Sequence, residues 1–327
     1  MSRRETLIDL AARAAFMVII YAIFASLLPS FHTIRGLAAL LDGSVLIGLA
    51  AVGVGVTMIA GEFDLSVGSL AAVIGVLAVN LMITGMGAVP AVVIAVAVGG
   101  VFGAFQGFVI AMTGVNSLVF TIGSLIGLRG FALIIAGAIT VTVPIERLGE
   151  IDWISQRIFG ILSPLSIIMI VVFVLVGLFL RYTVWGREIY AIGGGRNEAR
   201  AAGVSLTRPL VIAFALSATL AGLGGALLSV RLGSATPLGF DSLLLSAATA
   251  CLLGGIALEG GRGNVIGIFF GLMTLRFLVG GVASYGWPFW KQSLAIGGVL
   301  ILAIVVQMTI NLVRRRGGRV RMVAAHA

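Results

Sequence analysis

Long apolar segments follow one another along almost the whole chain, and they restrict the possible fold more than any other feature. A bilayer crossing needs about 20 predominantly apolar residues, and most of these segments approach or exceed that length. They lie at residues 14–30, 37–60, 65–85, 88–113, 117–138, 163–181, 208–230, 242–258, 264–284 and 292–313. The pattern predicts an all-α polytopic membrane protein of about ten transmembrane helices with short loops.

The composition leaves no room for a separate soluble domain. Hydrophobic residues make up 60% of the chain and charged residues 10%, against about 45–50% and 25% in soluble domains. We divide the chain into an N-terminal segment 1–13, one transmembrane domain 14–313 and a basic tail 314–327. The first apolar run is too long for a signal peptide and precedes no A-x-A site, which favours a retained span.

Basic residues cluster at both ends of the chain and in the segment 182–207. Lys and Arg are enriched on the cytoplasmic side of membrane proteins, and an even number of spans places both termini on that side. Membrane orientation therefore explains the net charge of +9, and we predict no nucleic-acid partner. The loop 139–162 then lies outside, as a solvated amphipathic segment or as a docking site for an external partner.

Two carboxylates lie in the stretch GEFDLSVGS at residues 61–69, between two apolar segments. Asp64 precedes an apolar helix and can accept hydrogen bonds from its free N–H groups. Glu62 has no such capping role. As an ionisable group near the membrane, it is a candidate functional residue. The alternative is that Glu62 is an interfacial carboxylate paired with an arginine. With Ser66, these residues are predicted to shape a helix junction.

The sequence contains no phosphate-binding loop of its own. Its only lysine is Lys291, which follows SYGWPFW, so the G-x-x-x-x-G-K-[ST] pattern is absent. We expect neither a catalytic site nor a metal or cofactor on this chain, and a separate chain must hydrolyse any ATP that drives it. The stretch NEARAAGV at 197–204 combines good helix formers with Gly203. It indicates either a short helix beneath the membrane, flanked by the flexible glycines Gly193 to Gly195, or a solvated basic loop.

NEARAAGV resembles the coupling segment of ABC-type sugar permeases, the ribose-type family of bacterial importers. GEFDLSVGSLAAV, VNSLVFTIGSLIGLRGF, GGALLSVRLGSATPLG, LLGGIALEGGRGNVIG and FWKQ resemble further family motifs, in the same order. The resemblance runs from about residue 40 to 310. Branched-chain amino-acid permeases are related, and D-L-S-V-G-S points to the sugar branch.

This resemblance implies a subunit of an ATP-driven, binding-protein-dependent importer in the bacterial inner membrane. The implied partners are a cytoplasmic ABC ATPase, a periplasmic or extracellular solute-binding protein and a second permease subunit, identical or different, embedded in membrane lipid. A sugar or similar small polar solute would pass by alternating access. The residues that would contact the ATPase are Asn197, Glu198, Ala199, Arg200, Ala202 and Gly203.

Several positions depart from the family pattern and bear on the solute. The family usually has Asn at Gln106, Pro-Pro-Phe at Asn116 to Leu118 and Asp at Ser246, whereas Arg276 is an arginine within a predicted span. Sugar hydroxyls need hydrogen-bond donors and acceptors along their path. The alternative role of a polar side chain inside a bundle is a hydrogen bond to a neighbouring helix. The candidate residues of the translocation pathway are Gln106, Asn116, Arg129, Ser246 and Arg276.

Two other classes of protein remain open at this stage. An ion-coupled secondary transporter would bind a proton or Na⁺ near the midplane at Glu62, Asp64 or Asp241, but these acids fall at predicted span ends. A structural subunit of a membrane complex would leave NEARAAGV unexplained.

Overall fold

The structure is a computed structural model that describes residues 3–288, 290–295, 297, 298, 301 and 305. Its α-helices are α1 (Arg3–Leu27), α2 (Ile34–Ile59), α3 (Val67–Ile83), α4 (Ala88–Thr113), α5 (Ser117–Ala136), α6 (Pro164–Tyr182), α7 (Val184–Gly194), α8 (Arg196–Ala201), α9 (Thr207–Arg231), α10 (Leu243–Leu253) and α11 (Val265–Ser284). Two 3₁₀ helices cover Pro29–His32 and Ile145–Ser155, and the strands β1 (Val141–Thr142) and β2 (Ser234–Ala235) form an antiparallel pair. The described chain is therefore α-helical, as predicted.

The predicted number of about ten transmembrane helices is not confirmed. Seven helices of the described part are long and apolar enough to span a membrane: α1, α2, α4, α5, α6, α9 and α11. The segment 242–258 contains only α10, whose 11 residues extend about 16 Å and fall short of an apolar layer about 30 Å thick. Most of the segment 292–313 lies outside the described residues, as does the tail 314–327.

Helix α9 lies at the centre of the bundle and packs against α2, α3 and α4. Glycines allow the backbones to approach at these crossings. A Cβ on Gly107 of α4 would lie 2.7 Å from the carbonyl oxygen of Leu210, and one on Gly53 of α2 would lie 2.8 Å from the Cα of Ser217. Close packing of small residues replaces the hydrophobic drive that helices lack in lipid, which accounts for much of the glycine content.

Helix α5 packs on α3 but leaves much of its surface uncovered. Gly123, Gly127 and Gly130 have open space where a side chain would lie. An apolar cleft of about 740 Å³ runs between α3, α4 and α5 and is lined in part by Phe102, Phe120 and Gly127. We call this uncovered surface the α5 face.

Candidate functional site

The segment predicted to contact an ATPase folds as the short helix α8, which follows α7 directly. Gly203 ends the turn in a left-handed conformation (φ +81°). Its N–H donates to the carbonyl of Arg200 at 2.9 Å, and that of Val204 donates to Ala199 at 2.9 Å. This is the hydrogen-bond pattern with which a glycine closes a helix, so the prediction of a short helix ending at Gly203 is confirmed.

The side chains of the α8 segment point in two directions. Asn197, Glu198, Arg200, Ala202 and Gly203 are exposed, whereas Ala199 is only 4% exposed. Ala199 therefore packs α8 against the body of the protein in this conformation. Its predicted contact with the ATPase stays a prediction.

Glu62 forms an ion pair with Arg196, the first residue of α8. Glu62 is buried, with 6% of its side chain exposed, while 45% of the Arg196 side chain remains accessible. The expectation of an interfacial carboxylate paired with an arginine is confirmed. The sequence did not indicate that this arginine begins the segment predicted to contact the ATPase.

Asp64 is fully buried and joins three helices through hydroxyl groups. Its carboxylate accepts from the Ser66 backbone N–H at 3.0 Å, the Ser66 hydroxyl at 2.6 Å and the Ser217 hydroxyl of α9 at 2.8 Å. Gln106 of α4 donates to the Ser66 hydroxyl at 3.2 Å. Asp64 thus stabilises the turn just before α3. The backbone N–H that its carboxylate binds is that of Ser66, which precedes the helix.

Gln106 and Ser246, two of the predicted pathway residues, lie in the interior. Gln106 is fully buried and Ser246 is 7% exposed. Asn116 is exposed, and its side chain accepts from the Leu118 N–H at 2.8 Å as the N-cap of α5. In this conformation Gln106 and Ser246 are buried, and Asn116 caps a helix.

Arg129 lies on the α5 face and forms an ion pair with Asp241, which precedes α10. Their charged atoms are 3.4 Å apart, and the side chains are 47% and 59% exposed. Arg129 is the thirteenth residue of α5, about 18 Å along its axis from Ser117. The pair therefore lies within the length of a membrane-spanning helix and is open to the surroundings.

Arg276 is largely buried, and its guanidinium lies over Gly43 of α2. A Cβ at Gly43 would overlap that guanidinium. The Nε of Arg276 has no hydrogen-bond partner among the described residues. The glycine creates the space that this arginine occupies inside the bundle.

A third buried carboxylate, Asp42 of α2, was not singled out from the sequence. It accepts from Arg157 at 2.9 Å, Arg231 at 3.1 Å and the hydroxyls of Ser163 and Ser166 at 2.6 and 3.2 Å. It thereby fastens the loop before α6 to α2 and to the end of α9. An acid inside an apolar segment was the signal that could have identified it.

These features define a polytopic α-helical membrane protein with charged residues at helix junctions, inside the bundle and on the α5 face. The family model described as "Branched-chain amino acid transport system / permease component" matches residues 36–305. The chain belongs to this family of transport permeases.

The curated relatives include several sugar permeases. The chain is 31% identical over 296 residues to the ribose import permease protein RbsC of Escherichia coli K12, covering 89% of this chain and 91% of that protein. It is 32% identical over 300 residues to the L-arabinose ABC transporter permease protein AraH of Azospirillum brasilense, covering 91% and 88%. A D-allose transport system permease of E. coli K12 is 29% identical, covering 90% of both chains. No solved structure matches the chain significantly.

These relatives are permease components of sugar ABC importers, as the sequence resemblance implied. The comparisons give no support to the ion-coupled alternative.

Proposed function

We propose that this chain imports a monosaccharide as the permease subunit of an ABC importer. Its relatives carry ribose, arabinose and allose in their names. A separate ATPase would supply the energy at the end of the molecule that carries α8, and a binding protein would deliver the sugar at the opposite end. We further propose that the α8 end and both termini face the cytoplasm, as the distribution of arginines favours.

The observation that carries the proposed pathway is the exposed ion pair of Arg129 and Asp241. Charged side chains within a membrane face a bundle interior or a water-filled cavity, because exposure to lipid is costly. With 47% and 59% of these two side chains exposed, the α5 face needs a wet cavity or a partner beside it. A second permease subunit placed across this face would enclose such a cavity between the two chains.

The ion pair also suits the chemistry of the proposed solute. A guanidinium presents several N–H donors in a fixed fork, and a carboxylate presents acceptors. A sugar hydroxyl can both donate and accept hydrogen bonds, so it could bind either the guanidinium or the carboxylate of the pair. The path between two such faces would be polar at the ion pair and apolar along the cleft.

At the α8 end, exposed Asn197, Glu198, Arg200, Ala202 and Gly203 form the proposed contact with the ATPase. The small residues at 202 and 203 leave room for a cleft of the partner to close around α8. Glu198 and Arg200 would pair with charges on the ATPase and set the orientation of docking.

Uptake of radiolabelled ribose, arabinose, allose and xylose by cells lacking their own pentose and hexose importers tests this proposal. The cells would express the chain with the ATPase and binding protein that co-purify with it. We expect at least one sugar to accumulate only when all three proteins are present. Equal accumulation without the ATPase, or no accumulation of any monosaccharide, would contradict the proposal.

A further inference from the structure

Three loops meet at the α8 end, and their backbones touch directly. They are residues 60–62 after α2, residues 193–195 at the junction of α7 with α8, and residues 257–263 between α10 and α11. We call this cluster the glycine joint. The Gly261 N–H donates to the carbonyl of Ile59 at 2.8 Å, which attaches the third loop to the last residue of α2.

At Gly193, Gly260 and Gly261 of the glycine joint, an added Cβ would meet the backbone of a neighbouring segment. A Cβ on Gly260 would lie 2.7 Å from the Cα of Gly61, and one on Gly261 would lie 2.6 Å from the Cα of Gly194. A Cβ on Gly193 would overlap the carbonyl of Ile59. The glycines of IGGG and LEGGRGN therefore permit backbone contact, and Gly193 and Gly194 belong to the end of α7 rather than to a flexible linker.

Two side-chain contacts attach the α7–α8 element to the other two loops. The ion pair of Glu62 with Arg196 joins α8 to the loop after α2. The hydroxyl of Tyr190 in α7 donates to the carbonyl of Gly263 at 2.8 Å. Burial raises the pKa of Tyr190 to about 12, so this hydroxyl keeps its proton at physiological pH.

The loop after α2 leads straight into the hydrogen bonds that hold α3, α4 and α9 together. Asp64 follows Glu62 by two residues and bonds Ser66 and Ser217. The third loop connects α10 to α11, and α3 and α10 are the two short apolar helices of the described chain. A displacement of α8 would therefore reach the ends of both short helices through backbone contacts.

The start of α3 also touches the segment that carries the exposed ion pair. A Cβ on Gly68 would lie 2.7 Å from the carbonyl oxygen of Phe240, the residue before Asp241. Close-packed interiors have low compressibility and transmit strain. Contacts thus continue from α8 through Glu62 and α3 to Asp241.

We propose that the ion pair of Glu62 and Arg196, together with the glycine joint, transmits the movement of α8 to α3 and α10 and so opens the α5 face. Glu62 is then a positioning residue for transport rather than a residue that contacts solute. This inference rests on the proposed function, and it identifies the junction that couples the ATPase to the membrane helices.

The test uses the complete transporter, with its ATPase and binding protein, reconstituted in vesicles. We expect Glu62→Gln and Arg196→Gln to assemble and to hydrolyse ATP at the basal rate, while sugar moved per ATP falls at least about fivefold, the lower end of usual coupling factors. The double variant Glu62→Arg, Arg196→Glu restores a pair of opposite charges. The sugar that it moves per ATP should return to at least about half the value of the unsubstituted complex. Arg187→Gln, an exposed arginine of α7, is the matched control and should leave the ratio unchanged.

A second readout follows the transmission without requiring sugar. A cysteine introduced at Ser124, which lines the cleft at the α5 face, is labelled by a thiol reagent with and without ATP trapped on the ATPase. The labelling rate should change with nucleotide in the unsubstituted complex and stay constant in Glu62→Gln.

Unchanged sugar per ATP in both single variants, or nucleotide-dependent labelling that persists in Glu62→Gln, would overturn the inference. Loss of basal ATP hydrolysis or of co-purification would also overturn it, by assigning the ion pair to assembly. Failure of the proposed function gives a different result, because the unsubstituted complex would then hydrolyse ATP and change its labelling without accumulating any monosaccharide.

Discussion

Arg129 of α5 and Asp241 of the segment before α10 form an ion pair at 3.4 Å on the α5 face of the bundle. The two residues are separated by more than a hundred positions in the chain, and each remains about half-exposed. Such an exposed pair contributes little to stability. Its presence within the length of a membrane helix is better explained by transport than by folding.

Removing either charge of this pair should reduce uptake without preventing assembly. We expect Arg129→Gln and Asp241→Asn each to lower sugar uptake about tenfold, the loss expected for one charged hydrogen bond to solute. The amount of folded protein should not change. Uptake normalised to membrane protein gives the result, and Arg181→Gln, an exposed arginine at the end of α6, is the control. Normal uptake in both variants would exclude the pair from the pathway.

The Asp42 cluster should be essential for stability. Asp42→Ala leaves Arg157 and Arg231 without their common partner. Loss of one member of a buried charge cluster costs about 3–5 kcal/mol, so the melting temperature in detergent should fall markedly. Asp152→Asn changes an exposed acid of the loop that contains Arg157 and should alter stability by less than about 0.5 kcal/mol. Equal melting temperatures for both variants would show that Asp42 does not hold the loop.

Glycines at helix crossings and glycines on the α5 face should respond differently to one added methyl group. Gly107→Ala places a Cβ 2.7 Å from Leu210 O and 2.8 Å from the Cα of Val211, and overpacking of this kind costs about 1–3 kcal/mol. Gly123→Ala meets open space and should be neutral or stabilising by up to about 1 kcal/mol. Thermal unfolding in detergent measures both. A larger loss at Gly123 would mean that the α5 face is packed in the free chain.

The exposed surface of α8 should be needed for contact with the ATPase and not for folding. We expect Glu198→Lys and Ala202→Trp to reach the membrane in normal amounts but to lose co-purification with the ATPase by more than about tenfold. Like-charge or steric conflict at an interface costs several kcal/mol, and each ~1.4 kcal/mol is a factor of about ten in affinity. Ser205→Ala, at an exposed position just beyond α8, serves as the control. Normal co-purification of both variants would remove α8 from the proposed contact.

The proposed orientation predicts different accessibility at the two ends of the molecule. A membrane-impermeant thiol reagent added outside should label a cysteine at Glu150 and should not reach one at Glu198. Both positions are exposed in the chain itself, so the difference would report the membrane barrier. The opposite pattern would reverse the orientation and place the ATPase contact outside the cell.

The long helices could be located from the sequence because lipid imposes a strong length and composition requirement on each span. The segments predicted at 163–181 and 208–230 correspond to α6 (Pro164–Tyr182) and α9 (Thr207–Arg231). Hydropathy does not report where a helix ends inside an apolar segment. In 242–258, α10 stops at Leu253, and Gly255 follows with a positive φ of 76°.

The charged contacts were only partly predictable, because each joins residues that are distant in the chain. Glu62 was expected to pair with some arginine, but only the packing of α7 on α2 and of α8 on α7 selects Arg196. Gln106 was predicted to line the pathway because it is polar, whereas the close approach of α3 and α4 buries it beside Ser66. A polar side chain within a span needs a hydrogen-bond partner. The sequence does not tell whether that partner is a neighbouring helix or the solute, because this depends on how the helices pack.

The most direct test of the account is ATP-driven sugar uptake into vesicles that contain this chain, its ATPase and its binding protein. The account predicts that a monosaccharide accumulates with hydrolysable ATP, does not accumulate with a non-hydrolysable analogue, and accumulates about tenfold less with Arg129→Gln. Accumulation that proceeds equally with the analogue, or that is unaffected when both Arg129 and Asp241 are replaced, would contradict it.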